Sequence, residues 1–317
     1  MPLNPKARAL LDEVQSNGSK PAADSTVAEA RAAAWKWAKY MGAPEIVGHI
    51  EDVFIPGPSA ELPVRIYTPA GRGPFRGLVY FHGGGWVAGN IHLADHPARS
   101  LANASQCVVV AVNYQKAPEH PFPTAVNDCL AALQWTVDNS QLLNIIPTQL
   151  GVGGDSAGGN LAAAVCLAAR ELRPPLPAFQ LLIYPALDAA LNSRSAARNS
   201  DGYGLTTSDL RWYWQRYLSV PADRDNPLAC PLSAPNLDHL PPAIVVTAEY
   251  DPLCDDGLRY AERLEAAGSP VIRHHYPGTI HGFLWMATAL DEFRGLLTRL
   301  PWDLDVLLKA GVERHRR

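Results

Sequence analysis

The chain predicts an α/β fold, with a mostly parallel central sheet flanked by helices on both faces. Two observations predict it. Beyond residue 107, short unbroken apolar runs alternate with longer segments of helical periodicity, the pattern of strands buried on both faces and joined by helical crossovers. Between one such run and an alanine-rich segment lies Gly154-Asp155-Ser156-Ala157-Gly158, a G-x-S-x-G signature. A serine on a sharp strand-to-helix turn takes strained backbone angles, and its neighbours must be tiny for the chain to pass. The helix it starts aims N–H groups and a partial positive charge at whatever reacts there. Taken alone, the pentapeptide fits a glycine-rich loop equally well.

The elements follow in order. Within residues 1–45, Leu3, Leu10, Leu11 and Val14 are spaced for one helix. Ala30, Ala33, Ala34, Trp37 and Met41 are spaced for a second. Asn17-Gly18-Ser19-Lys20-Pro21 between them is turn chemistry. Residues 51–55, 64–67 and 78–81 are short strand-like runs without intervening helices, expected to form an antiparallel edge. Further strands are expected at 108–112, 150–153, 179–183, 244–247 and 271–276. Helices are expected at 123–138, 157–172, 255–267 and 291–308. A long insertion after the sixth strand, 179–183, carries the aromatic segment Trp212-Tyr213-Trp214-Gln215-Arg216-Tyr217. Such insertions serve as lids or binding walls.

Composition narrows the partners. Its 317 residues suffice for one large domain or two smaller ones. A net charge of -4 leaves no basic footprint, so nucleic acid is not an expected partner. Arg314-His315-Arg316-Arg317 reads as a solvated tail end. The five cysteines are odd in number and lack C-x-x-C spacing, so no zinc site is expected. Cys107 and Cys166 sit in apolar runs as small core residues. A reduced, cytoplasmic compartment fits them best. The first residues lack a basic segment followed by an apolar one, so no signal peptide is expected. No run approaches about eighteen apolar residues, so no membrane span is expected either.

If Ser156 is a nucleophile it needs a base, a carboxylate to hold that base, and donors for an oxyanion. Of the downstream histidines, His274 and His275 lie within a strand pattern, one packing and one facing out, and His239 and His315 sit beside prolines and in the tail. His281 follows a strand and a Pro277-Gly278 turn, where parallel sheets place their ligands. Asp251 ends the strand at 244–247 just before Pro252, with Glu249 as runner-up and structural acceptor, and Asp255 and Asp256 as helix-capping groups. Upstream, 78–81 is followed by His82-Gly83-Gly84-Gly85-Trp86, a glycine loop able to turn N–H groups inward. Each such donor is worth roughly 2.7–4 kcal/mol to a developing oxyanion. His82 reads as a structural histidine that fixes this loop. The glycines lack G-x-G-x-x-G spacing or a P-loop lysine for phosphate.

In this order, His82-Gly83-Gly84-Gly85-Trp86, Gly154-Asp155-Ser156-Ala157-Gly158-Gly159-Asn160, Asp251-Pro252-Leu253 and His281-Gly282-Phe283 resemble the bacterial hormone-sensitive-lipase-like (family IV) carboxylesterases of the α/β-hydrolase superfamily. The resemblance runs from about residue 50 to near the end, and the N-terminal helices look like that family's cap. It implies an α/β-hydrolase fold and a triad of Ser156, Asp251 and His281. It implies an oxyanion hole of Gly84, Gly85 and Ala157, with Gly83 able to replace one of them. It divides the chain into an N-terminal part of the cap (1–45), core (46–187), cap insertion (188–226) and core again (227–317). Trp37, Trp86, Tyr184, Trp212 and Phe283 are its candidate pocket residues.

The implied activity is hydrolysis of short- to medium-chain carboxylic esters through an acyl-enzyme, with no cofactor and no metal. The expected partner is a small-molecule ester, with no membrane, and a homodimer paired through the last-strand edge. An amidase or peptidase would use the same triad. A non-catalytic receptor on this fold would lack the histidine found at 281. Two motifs depart from the family. D-Y-R-L-A-P-E becomes Asn113-Tyr114-Gln115-Lys116-Ala117-Pro118-Glu119, as if an acidic and a basic partner were lost together, and D-P-L-R-D becomes Asp251-Pro252-Leu253-Cys254-Asp255.

Overall fold

The computed structural model describes residues 1–18, 20–170 and 177–315, with no side-chain description beyond 311. Ser19, the expected helix end at 171–172 and the side chains of the C-terminal tail lie outside the described residues. Strands β1 (His49–Ile55), β2 (Leu62–Thr68), β3 (Phe75–Phe81), β4 (Cys107–Val112), β5 (Ile145–Asp155), β6 (Gln180–Ile183), β7 (Ala243–Tyr250) and β8 (Val271–Ile280) form one sheet, ordered β1-β2-β4-β3-β5-β6-β7-β8. All eight expected strands are present.

The expected antiparallel edge holds for β1 and β2 but not for β3. β1 pairs β2 and β2 pairs β4 antiparallel, whereas β3 runs parallel between β4 and β5. The cause is helix α3 (Asp95–Ser105), which supplies the crossover from β3 to β4. Leu101 is the one large apolar side chain it buries, among His96, Pro97, Ala98, Ser100, Ala102 and Ser105, and its N-cap, Ala94, makes no side-chain bond.

The sheet separates two apolar layers, and alternation along β4 shows how. Cys107, Val109 and Ala111 face α3 and α9 (Glu292–His315), while Val108, Val110 and Val112 face α4 (Thr124–Asp138) and α5 (Ala157–Ala169). A strand buried on both sides must be apolar at every position, hence the unbroken run. Helix α8 (Cys254–Ala266) joins the α4–α5 layer through Tyr260, Ala261 and Leu264.

The N-terminal segment adds α1 (Pro5–Ser16) and α2 (Val27–Ala34). The second expected helix stops at Ala34 and continues as a 3₁₀ segment over Trp35–Tyr40, so Trp37 and Met41 leave its α-helical phase. The insertion after β6 holds α6 (Arg194–Arg198) and α7 (Thr207–Tyr217). Capping boxes start α2 (Thr26 with Glu29) and α7 (Thr206 with Asp209). Asp209 also accepts the Ala23 N–H at 2.9 Å, tying the N-terminal segment to the insertion. All five cysteines are free thiols and buried. Among the described residues, no helix is long and apolar enough to cross a membrane.

Candidate active site

Ser156 sits between β5 and α5 with φ 56° and ψ -119°, a strained conformation for a residue with a Cβ. The strain is held by close packing. A Cβ on Gly158 would collide with the Phe81 carbonyl at the end of β3, so α5 can start against β3 only if that residue is glycine. The Ser156 N–H donates to the Ile183 carbonyl at 2.9 Å, and the Asn160 N–H to the Ser156 carbonyl at 3.1 Å.

Two other strand ends converge on the serine hydroxyl. His281 Nε2 lies 2.9 Å from Ser156 Oγ, and His281 Nδ1 lies 2.7 Å from Asp251 Oδ2. His281 directly follows β8, which runs on through Pro277 and Gly278; the turn expected there is strand. Asp251 directly follows β7 and is fully buried. The Leu253 N–H donates to its Oδ1 at 2.8 Å, and Asn199 Nδ2 to its backbone carbonyl at 3.0 Å. The carboxylate is thus held on one oxygen and offers the other to the imidazole. The remaining acids support the frame. Glu249 accepts the Gly278 N–H at 2.8 Å, Asp255 the Ser195 N–H at 2.8 Å, and Asp256 the Leu187 and Asp188 N–H groups at 3.0 and 3.1 Å.

The glycine loop lies on the other side of the serine. Asp155 accepts from Tyr80 Oη at 2.5 Å, from the Gly83 N–H at 2.9 Å and from Trp285 Nε1 at 2.7 Å. One buried carboxyl thereby binds the nucleophile turn to the glycine loop and to the segment after His281. Nothing in the pentapeptide pattern assigns this task to the residue before the serine. It also occupies the Gly83 N–H. Gly84 (φ 122°) and Gly85 (φ 60°) keep N–H groups with no acceptor among the described residues. Ala157 opens α5, where an N–H has no intrahelical partner. Among the described residues, no group of three or more His, Cys, Asp or Glu side chains could hold a metal ion.

His82 is buried, with Nδ1 2.7 Å from the Gly83 carbonyl and its ring stacked 4.5 Å from Tyr114. The bond makes Nδ1 the protonated nitrogen. Burial, then the nearby Lys116 charge, pushes its pKa down to about 3. The unfolded chain takes up this proton below pH of about 6.5, but the folded chain does not, so His82 stabilises the fold above that pH. That contribution is lost as pH falls toward 3, at about 1.4 kcal/mol per pH unit. The melting temperature is therefore expected to drop between pH 6.5 and 4.5, and less steeply in His82→Asn. Equal slopes would remove His82 as a cause.

The five candidate pocket residues go to different places. Tyr184 packs its ring 4.6 Å from His281, and Phe283 lies buried behind Tyr184 at 5.3 Å. Trp86 is buried, stacked 4.4 Å from Tyr217 and tilted against Trp214 at 4.3 Å, and so anchors α7 on the glycine loop. Trp212 is buried beneath the Arg216 guanidinium, and Trp37 packs on Tyr40. The residue missed is Tyr213. Its ring occupies the space a Cβ on Gly85 would need, and burial raises its hydroxyl to about 12. Which aromatic of a helical W-Y-W faces the loop depends on how the helix docks, which no sequence pattern carries.

The two departures do not pair with each other. Gln115 bonds Asp128, through its N–H at 2.9 Å and Nε2 at 3.3 Å, while Asn113 Oδ1 accepts from Lys116 Nζ at 2.9 Å.

A family model described as alpha/beta hydrolase fold matches residues 78–285. A carboxylic ester hydrolase, LipN, of Mycobacterium tuberculosis is 38% identical over 269 residues, covering 83% of this chain and 72% of the relative. An arylesterase of Saccharolobus solfataricus is 42% identical over 239 residues, covering 75% and 78%. An ethyl acetate hydrolase of Pseudomonas putida is 40% identical over 237 residues, covering 73% and 74%. The structure is similar to that of a hyperthermophilic esterase from Pyrobaculum calidifontis, with a TM-score of 0.90 and 36% identity over 96% of this chain and 98% of the other.

Proposed function

The chain belongs to the alpha/beta hydrolase fold family, in its hormone-sensitive-lipase-like branch, and from that membership we infer that it is a carboxylic ester hydrolase working through Ser156. The observation that carries the site assignment is the unbroken line from Asp251 to His281 to Ser156, at 2.7 and 2.9 Å. In this reading Ser156 Oγ attacks the ester carbonyl as His281 Nε2 takes its proton. Asp251 keeps Nδ1 protonated and stabilises the imidazolium. The N–H groups of Gly84, Gly85 and Ala157 receive the oxyanion. His281 then protonates the departing alcohol, and a water activated by the same imidazole releases the acid.

We also read residues 1–45 and 188–226 as a cap over the core (46–187 and 227–317). Support comes from the Asp209–Ala23 tie and from Tyr213 resting on Gly85. A wall of rings so near the glycine loop favours short to medium acyl chains. Among p-nitrophenyl esters of increasing acyl length, kcat/KM is expected to peak at short to medium chains, and a peak beyond about twelve carbons overturns the size limit. Buried free thiols suit a reducing, cytoplasmic setting. The outer edge of β8 ends the sheet and suits pairing with a second copy.

A further inference from the structure

A second cavity, of about 260 Å³, lies outside the triad and is lined by Arg31, Ala34, Trp35, Gly89, Asn90, Leu93, Asn113 and Lys116. Its charge balance is one-sided, for no carboxylate lines it. Arg31 is already neutralised by Glu119, which it meets at 2.5 Å and holds at a pKa of about 2. Lys116 makes no such ion pair, and the carboxylate that acts on it, Asp128, does so without contact. Its Nζ donates to the Asn113 side chain and to the Tyr114 carbonyl, both at 2.9 Å, and to no carboxylate among the described residues. The amide oxygens of the two asparagines are taken as well. Asn113 Oδ1 accepts from Lys116, and Asn90 Oδ1 accepts the His92 and Leu93 N–H groups at 3.0 and 2.9 Å. What these lining residues leave unused among the described residues is a set of donors, the third hydrogen of the ammonium and two amide NH₂ groups, beside the apolar side chains of Ala34, Trp35 and Leu93.

From this arrangement we propose that the cavity is a binding site for a small organic monocarboxylate, separate from the triad. One cation without a carboxylate in contact matches one negative charge. Two carboxylate oxygens match an ammonium and an amide, and a short alkyl group matches the indole wall. Desolvation, followed by the Arg31 charge and opposed by Asp128, lowers the Lys116 pKa to about 8. The sequence points the same way. Where the family motif carries Asp, Arg and Leu, this chain has Asn113, Gln115 and Lys116, so a negative charge is gone and the positive one stands at 116, on the cavity wall, instead of at 115.

The test is the melting temperature of the full chain titrated with sodium butyrate, against sodium chloride and sodium sulfate at equal ionic strength. Butyrate at millimolar concentration is expected to raise it saturably, with no comparable rise from either inorganic salt. Asn113→Asp places a carboxylate where the ligand's would sit and is expected to abolish the response while leaving the protein at least as stable. Lys116→Met should abolish it too, and kcat/KM for p-nitrophenyl acetate should stay within about twofold in both variants. A rise that persists in both variants would assign the binding to the triad pocket and overturn the proposal. So would no rise, or an equal rise with sulfate.

Discussion

Ser156→Ala is expected to lower the kcat for p-nitrophenyl butyrate by about 10⁵-fold or more, with little change in melting temperature. The two halves of this expectation rest on different atoms. Activity needs the hydroxyl, because an alanine methyl can form no acyl-enzyme. What survives is catalysis by the N–H groups of the glycine loop and by substrate binding, of order 10³–10⁴ over water. Stability rests on the backbone, whose bonds to Ile183 and Asn160 the substitution leaves in place. The lost hydroxyl bonds His281 alone among the described residues. The strained φ of 56° is imposed by the turn and is common to serine and alanine. An organophosphate should add its mass to the wild-type chain and not to this variant. Retention of more than about one hundredth of the activity would show that another group attacks the ester.

Much of this site was legible because each part marks itself locally. A serine between glycines, three glycines after a strand, and an aspartate and a histidine at strand ends are patterns of neighbouring residues. The strands of the parallel region were legible for the same reason. Burial on both faces forces every position of β4 to be apolar.

The remainder depends on contacts between distant segments. β3 reads as an edge strand because α3 buries small and polar residues around one large apolar side chain, Leu101, and so offers no run of apolar residues at helical spacing. Nothing near Asp155 announces that its carboxyl gathers Tyr80, Gly83 and Trp285, so the glycine pattern alone admits Gly83 to the oxyanion hole although its N–H is engaged. Tyr213, not its neighbour Trp212, is the ring that meets the glycine loop. Its place follows from Trp86, buried against Trp214 and Tyr217, which sets how α7 lies on the glycine loop. Asn113 and Gln115 looked like two halves of one lost pair. In the fold each turns to a different charged group, Lys116 and Asp128.

Asp251→Asn is expected to reduce kcat/KM by about 10⁴ at neutral pH while the fold persists. The size of the effect follows from which oxygen is anchored. Oδ1 accepts the Leu253 N–H at 2.8 Å, and only an oxygen can keep that bond, so the new amide must place its carbonyl there. Its NH₂ then faces His281 Nδ1, where Oδ2 stood at 2.7 Å. A donor facing Nδ1 selects the tautomer with the proton on Nε2. That nitrogen lies 2.9 Å from Ser156 Oγ and can no longer accept the serine proton. Geometry is preserved and the base is lost. The deficit should therefore shrink at alkaline pH, where hydroxide can remove the serine proton without the imidazole. Asp251→Ala, which leaves Nδ1 free to take either tautomer, should lose no more activity than Asp251→Asn. A variant Asp251→Asn with near wild-type kcat/KM at pH 7 would mean that the carboxylate serves to hold α8 and β7 rather than to orient His281.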